Sequence, residues 1–254
     1  MARDTLTYQR TGDFLKGRLR HVMTSEEKAV IEELCAEEAD VTPGTVVLRA
    51  GGVYDRSMVL VDGFMLRTVR DNGKDHIVGL QVPGDFVDLH SFALKRLDHD
   101  IVAVGPCRIA YARHEDINRA VSANPHLARI LWFATLLDAA IHREWIVKTK
   151  QLRADACTAH VLAELWARLE LVDLARPNGF VSPLTQGHLA DICGTTPVHM
   201  NRALRSLREA GICEFRRGRL FCENRQALED FGRFDPAYLY ADDTLGIRED
   251  LDKG

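Results

Sequence analysis

Leu184-Thr185-Gln186-Gly187-His188-Leu189-Ala190-Asp191-Ile192-Cys193-Gly194-Thr195-Thr196-Pro197-Val198-His199-Met200-Asn201-Arg202-Ala203-Leu204 reads as two helices with the punctuation between them. Thr185 is placed to cap the first helix, whose inner face is Leu189, Ile192 and Cys193. Gly194 supplies the left-handed residue that ends it. Thr196 then caps a second helix with Pro197 at its first position, where a missing N–H costs nothing. Met200, Ala203, Leu204 and Leu207 recur at spacings of three and four and predict a buried stripe. His199, Asn201, Arg202 and Arg205 are left on other faces. The spacing predicts a helix-turn-helix from about Thr185 to Ala210.

Downstream, Gly211 to Cys222 reads as a hairpin turning at Arg217-Gly218. From Thr196 to Arg219 six arginines face two glutamates, a local net charge of +4 inside a chain of net charge −4. Residues 226–254 carry eight acids against three bases and conceal that basic patch in the total. A second helix with polar and basic residues at its exposed start fits the major groove of double-stranded DNA. There arginine can bond guanine bidentately and asparagine can do the same with adenine. Val198, His199, Asn201 and Arg202 are the expected base readers, with Thr196, Arg205, Arg217 and Arg219 as phosphate contacts.

Upstream the periodicity changes. After a helical stretch over 25–39, Gly44, Gly51-Gly52, Asp62-Gly63, Asn72-Gly73 and Pro83-Gly84-Asp85 punctuate short β-branched runs such as Thr45–Leu48, Met58–Val61, His76–Leu80 and Ile101–Val104. That rhythm predicts an antiparallel β-roll. At Asn124-Pro125 a helical period begins, and Leu127, Ile130, Leu131, Ala134, Leu137, Ile141 and Trp145 draw one apolar stripe, widened by Phe133, Leu136 and Ala140. A stripe this broad is expected to place one face on the β-roll and another on a second copy of the chain, with Ile130, Leu137, Ile141 and Trp145 in the dimer interface. The fold class is therefore α+β. It comprises a β-roll sensor domain over 1–123, a dimerisation helix over 124–152, a winged helix-turn-helix over 153–225 and an acidic extension over 226–254. The aromatics Phe231, Phe234, Tyr238 and Tyr240 of that extension suit packing back on the protein.

This order of parts resembles the Crp/Fnr superfamily over residues 25–225. The resemblance is carried by Pro83-Gly84-Asp85-Phe86, by Asn124-Pro125, and by Leu189 to Gly194 followed by Val198 to Arg202. It implies a homodimeric transcription regulator, RNA polymerase as a candidate partner, and an effector pocket at Gly84, Asp85, Phe86, Val87, Arg96, Asp98 and His99. Relatives that bind cyclic AMP carry Gly-Glu-x-Gly/Ala and then Arg-Ser. Here the corresponding residues are Gly84-Asp85-Phe86-Val87 and then Asp98 and His99. An acid repels the cyclic phosphate and Val87 fills the space a small residue would leave, so cyclic AMP is not expected. A two-residue gap in the alignment would bring Arg96 into the cationic position. The small-molecule effector is left unidentified. An iron–sulfur branch of the family uses closely spaced N-terminal cysteines, whereas Cys35 alone falls within the first hundred residues. A haem ligand at His76 or His90 is disfavoured, and the expectation is no cofactor and no metal.

The six cysteines lack paired spacings, so buried thiols are expected. There is no apolar run of membrane-spanning length and no signal-peptide core at the start, which makes the cytoplasm the expected location. Cys157 with His160, or Asp88 with His90, is a conceivable catalytic pair, but no nucleophile elbow, phosphate loop or metal pair accompanies either. No enzyme is expected. The alternative to DNA binding is a ligand sensor that acts through protein contacts.

Overall fold

The computed structural model describes residues 2–241. Helices α1 (Ala2–Thr7) and α2 (Ser25–Leu34) precede the sheets. Thr24 starts α2 with a capping box: its hydroxyl accepts from Glu27 N at 3.1 Å, and Glu27 Oε2 accepts from Thr24 N at 2.9 Å. Glu27 Oε1 also accepts from Asn124 Nδ2 at 3.0 Å and lies 2.7 Å from His126 Nδ1, which ties α2 to the start of the long helix. Burial raises the Glu27 carboxyl, but these hydrogen bonds outweigh it and hold the group below its usual range. Its contribution to stability is thus present above the unfolded carboxylate pKa of about 4.3 and is lost as pH falls through the lower folded value. Urea unfolding should show Glu27→Gln less stable than the parent near neutral pH, with the gap closing in acid.

The helix expected to reach Ala39 stops at Leu34. Residues beyond Cys35 gain more from a ladder, because strand β1 (Glu37–Val41) pairs with β7 and sets Ala39 opposite Ile109. The other strands of the roll are β2 (Val46–Leu48), β3 (Arg56–Asp62), β4 (Met65–Asp71), β5 (Lys74–Gln81), β6 (Asp100–Ala103) and β7 (Cys107–Arg113). They form two antiparallel sheets, ordered β1-β7-β3 and β2-β6-β4-β5. Asn72-Gly73, both at positive φ, close the β4–β5 hairpin. Met58, Leu60, Met65, Ile101 and Ile109 fill the core of the roll. Helices α3 (His90–Leu94) and α4 (His114–Ala123) complete this part.

Asn124 ends α4 in an extended conformation and caps α5 (Pro125–Gln151), its Oδ1 accepting from Leu127 N at 3.1 Å. At 1.5 Å per residue, α5 is about 40 Å long. The four residues expected in the dimer interface are covered by their own chain, a correction to that reading. Ile130 is 1% exposed, Leu137 6%, Ile141 8% and Trp145 8%, all packed in the main core. These side chains face the body of the chain because that face carries the larger share of apolar volume. The α5 apolar residues left exposed are Trp132, Leu136, Ile146 and Val147.

Next come α6 (Ala154–Leu171), β8 (Gly179–Val181), α7 (Gln186–Ile192), α8 (Pro197–Glu209), β9 (Glu214–Arg216), β10 (Arg219–Phe221) and α9 (Arg225–Gly232). Every residue of α6 from Cys157 to Leu169 is buried, so its polar members must be satisfied internally. Glu164 does this by accepting from Trp145 Nε1 at 2.9 Å and Tyr238 OH at 2.7 Å, and by pairing with Arg168 at 3.3 Å. Arg168 in turn reaches Asp85 Oδ2 and the Leu80 carbonyl, each at 2.8 Å. The acidic extension does fold back as far as it is described: Phe234 and Tyr238 pack on His160, Tyr240 meets Phe133 edge-on, and Arg18 Nε donates to the Leu239 carbonyl. Its remainder, 242–254, lies outside the described residues.

Candidate nucleic-acid interface and the adjoining cleft

The turn between α7 and α8 is built as its residues dictate. Thr185 Oγ1 accepts from His188 N at 3.1 Å and Thr196 Oγ1 from His199 N at 3.3 Å, satisfying an otherwise unpaired N–H at each helix start. Gly194 has φ +60° between them, and a side chain there would press on Thr149 of α5. Helix α8 buries Met200, Ala203, Leu204 and Leu207 and exposes Val198, His199, Asn201, Arg202 and Arg205. An exposed valine beside asparagine and arginine offers a methyl surface next to bidentate donors, the combination that base edges present targets for.

Strands β9 and β10 form the hairpin, with Arg217 at φ 49° and Gly218 at φ 76° in its turn. Gly218 admits no substitute, since a Cβ would come within 1.9 Å of the Ser182 carbonyl oxygen. Strand β8 pairs with β10 and widens the wing to three strands. Arg216, Arg217 and Arg219 are exposed there. All eight residues expected to contact DNA are exposed, six on or beside α8 and two on the wing.

The helix pair is docked on the β-roll. Asp191 of α7 accepts from Ile77 N at 2.5 Å and lies 3.9 Å from Lys74 Nζ and 3.7 Å from His76 Nδ1. Beside this contact opens a cleft of about 730 Å³, lined from the roll by Arg67, Ile77, His90, Asp98 and His99 and from α5 by Asp138, His142 and Ile146.

The seven residues expected to form one effector pocket are separated by the fold. Asp98 and His99 line the cleft. Asp85 is engaged elsewhere, accepting from Val82 N at 2.9 Å and pairing with Arg168. Gly84 sits against the Asp13 backbone, Phe86 meets Phe14 edge-on, and Val87 is fully buried in the core of the roll. Arg96 is exposed and donates to the Gly51 carbonyl at 2.6 Å. The residues the sequence reading missed, Arg67, Asp138 and His142, come from β4 and α5. Arg67 bonds Asp138 and the Val87 carbonyl, which holds α5 to the roll.

Three of the four residues in the conceivable catalytic pairs are buried. Cys157 and His160 are buried, and His160 is packed by Phe234 and Tyr238. Asp88 is fully buried, where desolvation pushes its carboxyl up to about 7, and it accepts from Met58 N at 2.7 Å and from Ser91 Oγ at 3.2 Å. All six cysteines are free and buried.

Comparison with known proteins agrees with this geometry at both ends of the chain. The cyclic nucleotide-binding domain family matches residues 38–124, and the Crp-like helix-turn-helix domain family matches residues 158–231. The chain belongs to the Crp/Fnr superfamily. It is a transcription regulator of Crp/Fnr type with a helix-turn-helix DNA-binding domain. Among Crp/Fnr proteins, the transcriptional activator FnrL of Cereibacter sphaeroides is 27% identical over 216 residues, covering 82% of this chain and 85% of that protein. FixK2 from Bradyrhizobium japonicum shares the fold with a TM-score of 0.69 and 18% identity, covering 77% of this chain and 96% of that one. The c-di-GMP-responsive regulator CLP of Xanthomonas campestris does so with a TM-score of 0.63 and 15% identity, covering 77% and 99%. A Crp/Fnr sensor acting without DNA is not favoured by these likenesses. Among the described residues, no helix is long and apolar enough to cross a membrane.

Proposed function

We propose that this chain binds an inverted repeat in double-stranded DNA as a homodimer in the cytoplasm and regulates transcription there. Val198, His199, Asn201 and Arg202 read bases, while Thr196, Arg205, Arg217 and Arg219 hold phosphates. The observation that carries this reading is the exposed polar face at the start of α8, flanked by a basic wing. Two such helices on a two-fold axis would enter successive major grooves roughly 34 Å apart. The working division is a sensor domain over 1–123, a dimer helix over 124–152, a DNA-binding domain over 153–225 and an extension from 226.

The exposed apolar residues of α5 support the dimer. Trp132, Leu136, Ala139 and Ile146 fall on the three-and-four spacing that a coiled-coil seam uses, and Trp132 is 65% exposed, Leu136 51% and Ile146 55%. The effector, if it occupies the cleft, touches roll, α5 and α7 at once, and cyclic AMP is not the expected one. RNA polymerase is the partner through which an activator of this kind would act.

The test separates base readers from phosphate contacts. Arg202→Ala should cost ~1–3 kcal/mol on the cognate site and relax preference at one base pair, whereas Arg217→Ala should weaken all sequences alike and lower the salt slope by about one. Fluorescence anisotropy on cognate and scrambled duplexes at several salt concentrations reads both. Identical behaviour of the two variants would overturn the division of roles.

A further inference from the structure

We propose that His90 and His99, held with Asp98 where the β-roll meets the cleft, form a binding site for a first-row transition-metal ion such as zinc(II). One ligand-type atom from each of the three residues lies within 4.8 Å of the other two, and among the described residues this is the one such group of three. The two imidazole rings are 5.1 Å apart between centroids. They come from α3 and from the residue before β6, nine positions apart in a sequence that shows no metal motif.

The hydrogen bonding is what singles the group out. His99 is 7% exposed, and its Nδ1 lies 2.7 Å from Asp98 Oδ1. A carboxylate can only accept, so that contact places the proton on Nδ1 and leaves the lone pair on Nε2. His99 Nε2 is buried and has no hydrogen-bond partner, and the same is true of His90 Nε2. A buried polar nitrogen without a partner is costly, and two in one place call for a shared partner. An acceptor lone pair on imidazole, oriented by a carboxylate on the opposite ring nitrogen, is the arrangement that binds metal ions.

Charge and access agree. The nearby cation Arg67 is ion-paired with Asp138, and Asp98 sets a second carboxylate beside the two rings. Both rings line the open cleft, which provides an entry path, while Asp98 stays on His99 Nδ1 as the orienting carboxylate. Two imidazoles suit zinc, with the remaining positions taken by water. This site is independent of the DNA-binding reading.

The experiment uses the full-length chain without a histidine tag, stripped with chelator and titrated with cobalt(II), then displaced with zinc(II). One equivalent per chain is expected, with d–d absorption and no sulfur charge-transfer band. His90→Gln and His99→Gln should each weaken binding at least ~100-fold, and Asp98→Asn 10–100-fold, the usual loss when such a carboxylate is removed. His76→Gln, at a partly exposed position of β5 outside the group, should bind as the parent does. Asp98 is exposed, so its variant keeps the fold and decides the matter where a histidine variant fails to fold. Absence of stoichiometric binding, a thiolate band, or affinity untouched by Asp98→Asn and the histidine variants would overturn the proposal.

Discussion

Arg168→Met is expected to destabilise the folded chain by about 3–5 kcal/mol, because removing one member of a buried ion pair strands its partners. Arg168 is 2% exposed and is the cation facing both Glu164, itself 2% exposed, and Asp85. Its guanidinium also supplies the bond to the Leu80 carbonyl at the end of β5, so one substitution takes the cation from two carboxylates and a donor from a carbonyl. For a chain of this size the loss corresponds to a fall in Tm of roughly 10 °C. The cause can be separated from lost packing. Adding Glu164→Gln and Asp85→Asn to Arg168→Met removes the stranded charges while keeping acceptors for Trp145 Nε1 and Tyr238 OH, and should recover most of the stability. Urea denaturation followed by circular dichroism measures each variant. A single variant that unfolds with the parent would show the network to be dispensable.

That network also marks the limit of what a sequence reading reaches. The helix-turn-helix was legible because its signals are local: Thr185, Gly194, Thr196 and Pro197 act on neighbours within four residues, and the cap bonds appear where they are expected. The β4–β5 turn at Asn72-Gly73 and the wing turn at Arg217-Gly218 were legible for the same reason. Strand β8 and the end of α2 were not, since three residues at Gly179–Val181 become a strand only by pairing with β10, and Glu37–Val41 only by pairing with β7. The α5 pattern disclosed that apolar faces exist but not what covers each. Periodicity sees a stripe, and whether roll or partner lies on it is a tertiary fact. His90 and His99 are the extreme case, because their relation depends on the packing of two rings, on a carboxylate beside one of them and on missing hydrogen-bond partners that no spacing encodes.

Glutamate at both Trp132 and Leu136 is expected to leave a folded monomer with much weakened operator binding. The two positions lie on the exposed face of α5, whereas the core contacts of the same helix are made by Ile130, Leu137, Ile141 and Trp145. Unfolding of the single chain should therefore change little, since exposed positions away from caps and ion pairs shift stability by only about ±0.5 kcal/mol. In a dimer the same substitutions would set like charges against each other across a two-fold axis and bury them against an apolar seam, which forbids association. Two linked reading heads gain about 10²–10⁴ in affinity over one, so the variant should bind a full inverted repeat that much more weakly than the parent while binding an isolated half-site equally. Its salt slope on the full site should also fall to roughly half, because only one set of arginines neutralises phosphates. Sedimentation equilibrium and anisotropy on full and half sites test the two steps separately. A variant that still dimerises would place the interface elsewhere, and one that is monomeric yet binds the full site with unchanged affinity would remove the dimer from the recognition mechanism.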